Sequence, residues 1–450
     1  MNWQRSSAPS ARRAELFRDV WSTLKQTDNT LCILSGYEQY PDHIDSDVDA
    51  FSVDPEQIPR ILFERKVTAV AQVLQHETTA FYYVLCRRSG DETTYIALDV
   101  CSDYRRNNRT WLKREEFIGA CRPYKFFDVP IAELEFIYYL IKKLCKGSID
   151  EEQTQRLSRL YNEDPTGCDS QLARFFPPEE ARSIARAARS GDWEWVLTRF
   201  SDLRETLLCE SRRKRPWQLL KYRLGDYRRG FGRVIRPTGL MVAFLGADGS
   251  GKSTVVERVV RNLAPAFRKT ARYHLRPRLY VRKRRGTQRN TQVPVTEPHA
   301  QPSRGLIPSM AKLAFWWLAY TFGYLRDVFP LLTRSTLVVF DRYYHDILVD
   351  TKRYRYRGPS WPARLVGKVV PRPHLFILLD APPEVLFSRK QEVAFEEVGR
   401  QREAYLELVR SLDNGHVVDA SKPLDEVVSE VEKVVLDHLI ARTARRTGVG

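Results

Sequence analysis

The sequence predicts an α/β C-terminal half, a parallel sheet with crossover helices, fused to an α+β N-terminal half with a helical extension. Three observations carry that expectation. From Gly239 onward, short apolar runs alternate with helical stretches, as in sheets whose strands are joined by crossover helices. Before residue 125, strand-like runs lie between polar turns, and from Pro130 to Leu208 apolar residues recur at helical spacing. With 450 residues, the chain has material for two or three domains with cores of their own. The pattern divides it into 1–125, a helical part 126–210, a basic linker 211–237 and an α/β domain 238–450.

In chain order, Ala14–Leu24 reads as an amphipathic helix, and "LCILSG", "DAFSV", "FYYVLCR" and "YIALDV" read as strands. Alternate residues of a strand face one side. Asp47 and Asp49 would therefore share a face, and Asp99 on "YIALDV" offers a third carboxylate. Such a trio could hold two Mg²⁺ ions that activate a hydroxyl against an α-phosphate. The alternative is an acid-rich surface turn. "IAELEFIYYLIKKL" predicts a helix, and "PPEEARSIARAARSGDWEWVLTRF" predicts two more, broken at Gly191.

The formal charge of +17 points to an anionic partner: nucleotide, nucleic acid, anionic lipid, or a phosphorylated or acidic sugar. Ser211–Pro237 concentrates it, with ten Lys or Arg against one acid, Asp226. It reads as a solvated connector or as a basic amphipathic segment that touches anionic lipid or nucleic acid. Nucleic acid fits least, because few aromatics interleave with the bases, only Trp217, Tyr222 and Tyr227. Seven scattered cysteines with no Cys-x-x-Cys pair predict reduced thiols in a cytosolic protein and no zinc site. The first residues, "MNWQRSSAPSARRAELF", lack the continuous apolar core of a secretory leader.

Five strands are expected in the C-terminal half: "LMVAFL", "ARYHL", "TLVVF", "LFILL" and "HVVD". The polar, basic run Val281–Gly305 shows no periodicity and reads as an insertion. The apolar run Leu313–Leu325, 13 residues long, is shorter than the roughly 20 a bilayer span needs. A buried core helix is expected there, with an interfacial membrane contact as the alternative.

Gly246-Ala247-Asp248-Gly249-Ser250-Gly251-Lys252-Ser253 fits the phosphate-loop pattern, with an apolar strand before it and a helix after it. Glycines let the backbone curl so that its N–H groups point at phosphate oxygens, and the helix N-terminus adds partial positive charge. Gly246, Asp248, Gly249, Ser250, Gly251, Lys252, Ser253 and Thr254 are the candidate nucleotide-binding residues. Lys252 would neutralise the β- and γ-phosphates, and Ser253 would ligate Mg²⁺. Asp341 and Arg342 follow a buried strand, at the sheet edge where ligands sit in open α/β folds. Asp341 would organise Mg²⁺, and Arg342 would grip a second phosphate. The phosphate loop contains no arginine, so any arginine acting on the transferred group must come from elsewhere. Arg389, Arg400 and Arg402, with Lys390, form a charged cluster suited to a lid.

"GADGSGKST", "VVFDRYYHD", "LDAPPEVLFSRKQE" with "RQREAY", and "VVDASKPLDEVV" together resemble the thymidylate kinase family, over about Gly239–Leu439. They are closer still to thymidylate kinase-like proteins encoded among bacterial surface-polysaccharide genes. The resemblance implies a P-loop kinase fold and an ATP- and Mg²⁺-dependent phosphotransferase. It places Asp248 near the acceptor's sugar, Arg389–Arg402 in the lid and Asp419-Ala420-Ser421 near the donor adenine. Where that family has Arg-Glu-Pro after the second strand, this chain reads "HLRPRLY", without the Glu. The acceptor is therefore left as a nucleotide, a sugar or a sugar phosphate. Asp47-Val48-Asp49 and Asp99 resemble the DNA polymerase beta-like nucleotidyltransferase superfamily, although the preceding turn reads Ser35-Gly36 rather than Gly-Ser. The expected setting is cytoplasmic, with a peripheral contact to an anionic inner membrane. A homodimer is left open. The alternatives are an ATP-gated binding or scaffold protein with little turnover and a bifunctional kinase/nucleotidyltransferase.

Overall fold

The computed structural model describes residues 10–27, 30–214, 217–277, 305–391 and 393–449; the side chains of 214 and 218–221 are left aside. Val281–Arg304, most of the expected insertion, lies outside the described residues. The chain forms two compact units. One is drawn mainly from residues up to Gly232 together with those from Ile440 onward, and the other mainly from Arg233–Leu439.

The N-terminal unit opens with α1 (Ser10–Lys25), β1 (Leu31–Ser35), β2 (Val48–Ser52), α2 (Ile58–Glu64), β3 (Ala69–Glu77), β4 (Ala80–Ser89) and β5 (Glu92–Cys101). The sheet order is β1-β2-β5-β4-β3. β2 runs parallel to β5 with Asp49 opposite Asp99, and antiparallel to β1. Leu16, Phe17, Val20 and Trp21 of α1 pack on the sheet through Ile33, Tyr83 and Leu98, all buried. Next come two hairpins, β6 (Tyr104–Arg106) with β7 (Arg109–Leu112) and β8 (Cys121–Tyr124) with β9 (Phe127–Pro130), and the short α3 (Arg114–Phe117).

The helical part runs α4 (Ala132–Lys146), α5 (Glu151–Glu163), α6 (Pro165–Phe175), α7 (Pro178–Ser190), α8 (Glu194–Thr198), α9 (Phe200–Lys214) and α10 (Gln218–Ile235). α4 is apolar almost all round and forms the centre of this core. Gly191 ends α7 in the left-handed region, φ 78°, as the sequence break implies. The described residues of the basic stretch 211–237 are mostly helical, carried by the end of α9 and by α10.

Inside this unit, Glu135 is fully buried. It accepts from Tyr37 Oη at 2.7 Å and from Arg156 Nη2 at 2.5 Å, and Arg156 also reaches Glu38 Oε1 at 2.8 Å. Burial raises the Glu135 carboxyl above its usual range, and Arg156 works against that rise. Removing one partner strands a buried charge. Arg156→Met is expected to cost the N-terminal unit about 3–5 kcal/mol, and Glu135→Leu/Arg156→Met much less than the sum. Urea unfolding of the three chains checks this; equal losses would contradict it.

The C-terminal unit contains β10 (Leu240–Leu245), α11 (Lys252–Leu263), β11 (Lys269–His274), α12 (Leu306–Gly323), α13 (Phe329–Leu332), β12 (Thr336–Asp341) and α14 (Asp346–Val349). It continues with α15 (Ser360–Val369), β13 (Leu375–Asp380), α16 (Pro383–Arg389), α17 (Phe395–Arg410), β14 (Gly415–Asp419) and α18 (Leu424–Thr447), whose residues from Ile440 onward belong to the other unit. All five expected strands form one parallel sheet, in the order β11-β12-β10-β13-β14. The central strands are buried continuously, the signature of a sheet covered on both faces.

The expected core helix over Leu313–Leu325 is buried on one face only. In α12, Leu313, Trp316, Ala319 and Tyr320 pack inward, while Ile307, Trp317, Leu318 and Phe322 are exposed. Among the described residues no helix is long and apolar enough to cross a membrane.

Candidate active site

β10 sits at the centre of the sheet, and the phosphate loop leaves its carboxyl end. The loop is shaped by glycines that other residues would distort. Gly246, Gly249 and Gly251 have φ of 142°, 84° and 79°. A Cβ on Gly249 would lie 2.5 Å from Leu386 O in α16, and one on Gly246 would lie 2.8 Å from Leu379 O in β13.

Lys252 is the first residue of α11 and is buried. Its Nζ donates to Gly246 O and Ala247 O, each at 2.8 Å, and to Ser250 Oγ at 3.1 Å. Three acceptors suit an ammonium. Burial, and then the nearby Arg342, oppose the charge and pull this lysine down to about 7.

β12 ends on Asp341, whose Oδ2 accepts from Ser253 Oγ at 3.2 Å, with His274 Nδ1 4.0 Å away. A carboxylate and a hydroxyl beside the phosphate loop fit Mg²⁺, which usually takes few protein ligands and completes its shell with phosphate and water. Arg342 follows at φ 72°, held by its N–H to Phe244 O at 3.1 Å. Its guanidinium is buried and paired with Asp248, and with Asp346 Oδ2 at 2.9 Å. Burial disfavours that charge, but Asp346 and Asp248 outweigh it and raise the pKa far above normal. Arg353 Nη1 adds a second guanidinium on Asp248, at 2.5 Å.

A cavity of about 460 Å³ collects these groups: Asp248, Lys252, Ser253, Asp341, Arg342 and Arg353 all line it. Thr254, Arg389 and Lys390 complete its wall. Arg389 Nη1 donates to Ala420 O at 2.9 Å, next to Asp419, which bonds Ser421 N at 2.9 Å. Arg400 and Arg402 do not line this cavity. Arg400 is tied to Glu397 and to Val349 O, and Arg402 forks onto both oxygens of Asp380 at 2.9 Å. Glu397 is an i,i+3 neighbour of Arg400 on one helix, whereas Asp380, 22 residues before Arg402, is a partner that spacing could not reveal. Asp346 and Arg353 were not expected as site residues. The i,i+4 interval from Arg342 to Asp346 was a readable signal, whereas Arg353 reaches the loop only through the turn after α14.

A second cavity, about 620 Å³, shares His274 with the first. Arg276, Lys312, Phe315 and Trp316 line it. Arg276 lies 5.2 Å over Phe315, and Lys312 lies 5.3 Å over Trp316. Its walls are aromatic and cationic.

In the N-terminal unit, the register puts Asp49 beside Asp99, whereas Asp47 lies just before β2 begins, so strand alternation does not set its side as the sequence implied. Asp49 Oδ2, however, accepts from Lys142 Nζ at 2.5 Å and from Ser35 Oγ at 3.2 Å. Burial, then Asp49, raises the Asp47 carboxyl. Among the described residues no group of three or more His, Cys, Asp or Glu side chains is arranged to hold a metal ion. As it stands, Asp49 is held by Lys142 and Ser35, so a metal ion there would first have to displace Lys142.

A glycine-lined phosphate loop, a Ser-Asp pair and converging arginines at the carboxyl edge of a parallel sheet define a P-loop phosphotransferase site. No protein-family model matches the chain. Individual relatives do. A probable thymidylate kinase of Pyrobaculum calidifontis is 28% identical over 223 residues, covering 44% of this chain and 95% of that protein. One from Archaeoglobus fulgidus is 37% identical over 127 residues, covering 25% of this chain and 60% of that protein. The thymidylate kinase of Caulobacter vibrioides is 27% identical over 227 residues, covering 45% of this chain and 98% of that protein. The solved thymidylate kinase of Ehrlichia chaffeensis aligns at 16% identity with a TM-score of 0.31, covering 44% of this chain and 99% of that one. The chain is thus homologous to thymidylate kinases over about 44% of its length and is an ATP-dependent kinase.

Folded, Lys252 is charged below about 7, while an unfolded lysine stays charged to about 10.5. Its charge therefore burdens the fold at low pH, and the burden lifts as pH rises through that window. Polyphosphate restores the ammonium, so binding at pH 8 should take up about one proton. MgATP titrated by calorimetry at pH 8 should show heats that depend on the buffer's ionisation enthalpy. Lys252→Arg, charged throughout, should show none. A buffer-independent heat in the native chain would contradict this.

Proposed function

We propose that the C-terminal unit transfers a phosphoryl group from ATP to an acceptor that already bears a phosphate, either a nucleoside monophosphate or a sugar phosphate. The supporting observation is the convergence of Arg342 and Arg353 on Asp248, at the rim of the cavity that holds Lys252. Arg342 keeps Asp346 as a partner, so an incoming phosphate need replace only Asp248 as the anion that the two guanidiniums share. A neutral sugar hydroxyl gives them nothing to pair with.

In this reading, the loop amides and Lys252 hold the donor's β- and γ-phosphates. Phosphate oxygens replace the three loop acceptors that Lys252 uses now. Ser253 and Asp341 would hold Mg²⁺, which neutralises charge between the β- and γ-phosphates. Arg389 and Lys390 enter from the far wall, where they can meet charge developing on the transferred group. Arg342 and Arg353 grip the acceptor phosphate, which frees Asp248 for an acceptor hydroxyl. The aromatic cavity next to His274 is placed to receive the acceptor's ring. Arg402 acts as a positioning residue that fastens α17 to the end of β13. Participation in surface-polysaccharide synthesis rests on the sequence resemblance alone.

A second reading, nucleotidyl transfer in the N-terminal unit, is favoured by the Asp49–Asp99 register. It requires Lys142 to leave Asp49.

ADP release with a panel of nucleoside monophosphates, sugar phosphates and unphosphorylated sugars tests the proposal. Turnover should appear with a phosphorylated acceptor and fall roughly a hundredfold in Lys252→Ala. Arg353→Ala should raise the acceptor KM at least ~tenfold, as expected for a lost charge-assisted bond, with a smaller change in kcat. Turnover with unphosphorylated sugars alone would refute the acceptor class. ATP binding without acceptor-dependent turnover would support a scaffold instead.

A further inference from the structure

α10 has its apolar face turned outward. Along its inner side, Tyr222 Oη shares a hydrogen bond with Thr110 Oγ1 at 2.8 Å, and the Arg105 guanidinium lies 4.6 Å over the Tyr222 ring. One helical repeat further on, Arg229 Nη1 donates to Thr78 Oγ1 at 2.8 Å and also pairs with Asp226. Positions 222 and 229 thus fasten the helix to the rest of the N-terminal unit, and Arg229 engages its single acid, Asp226.

The opposite positions are apolar and in solvent. Leu224 is 72% exposed, Tyr227 76% and Phe231 67%, with Trp217 at 79% just before the helix. The spacing 224, 227, 231 is one stripe of a helix. Arg223 and Arg228 are exposed beside it, and Arg212 and Arg213 are exposed at the end of α9. Gly225, Gly230 and Gly232 weaken the helix on its own, so a surface that covers the stripe would also stabilise it.

We propose that this face of α10 binds an anionic bilayer surface, with Trp217, Leu224, Tyr227 and Phe231 entering the headgroup–acyl boundary and the flanking arginines pairing with lipid phosphates. An apolar stripe edged by arginines, with aromatics at its centre, is the chemistry of an interfacial helix. Charge complementarity selects this occupant. A symmetric contact with a second copy lays a surface on itself and would bring Arg223 and Arg228 against their own images, with Asp226 already taken. A nucleic acid would meet the arginines but would leave Leu224 and Phe231 against phosphate. The proposal is independent of the acceptor reading.

Flotation of the full chain with phosphatidylcholine vesicles, with and without phosphatidylglycerol, tests it. Binding should be at least ~tenfold stronger to the anionic vesicles and should weaken as salt rises. Leu224→Glu/Phe231→Glu should abolish it while leaving ATP binding and the thermal midpoint unchanged. Should that chain misfold, Arg223→Gln/Arg228→Gln, which spares the stripe, should still lose most of the anionic preference. Equal flotation of the native chain and both variants would overturn the proposal. So would a native dimer that Leu224→Glu/Phe231→Glu converts to a monomer with vesicle binding intact. A DNA or RNA mobility shift lost in the variants, with no vesicle binding by the native chain, would assign the face to nucleic acid.

Discussion

The turn between β10 and α11 is the constraint from which the catalytic half follows. Gly246, Gly249 and Gly251 all lie at positive φ, and at Gly249 a side chain would strike the α16 backbone. The loop therefore packs as bare main chain against the ends of β13 and α16. That close approach brings Arg389 and Lys390 into the same cavity as Lys252. Arg389 and Lys390 are placed there by the backbone contact of α16 with the loop.

Crowding cations this tightly has an energetic cost, and the structure offsets it with buried acids. Arg342 is a non-glycine residue in the left-handed region, a conformation that persists only where its surroundings over-determine it. Its N–H is fixed to β10, and its two guanidinium branches are fixed to Asp248 and Asp346. Asp346 is buried, and its Oδ1 has no partner among the described residues. It acts as the permanent counter-charge, whereas Asp248, at the cavity wall, is the one an incoming anion can displace. One arginine thus has a structural partner and an exchangeable one.

Much of this was legible in the sequence. The three central strands of the kinase sheet are continuous apolar runs, because both faces are covered, whereas the edge strands β11 and β14 are mixed in sequence and largely exposed. The phosphate loop is legible because its geometry demands glycine at stated positions. Other features depend on partners far along the chain. β3 was not expected, because Ala69–Glu77 interleaves buried and half-exposed positions and has no apolar run. Arg400 and Arg402 resembled lid arginines by spacing, but Asp380, at the end of β13, claims one of them. Arg353 lies among several arginines in "KRYRYR", and only the tertiary turn after α14 shows which one reaches Asp248. α12 read as a core helix because it is apolar all round, and an all-apolar sequence does not reveal which face is covered.

The two units treat like charges in opposite ways, and this separates their chemistry. The phosphate cavity has Lys252, Arg342, Arg353, Arg389 and Lys390 on its wall against Asp248 and Asp341. Even counting the buried Asp346 that pairs with Arg342, cations outnumber acids here, which favours an anionic ligand. The N-terminal carboxylates carry their own counter-ion. Lys142 sits on Asp49, with Ser35 bonding to both, so this face is electrostatically quieter before anything arrives. A ligand there must first break an internal ion pair in a part-buried setting, where such a pair is stronger than in water. At the C-terminal site Lys252 holds only neutral oxygens of its own loop, so a triphosphate can replace them without breaking an ion pair.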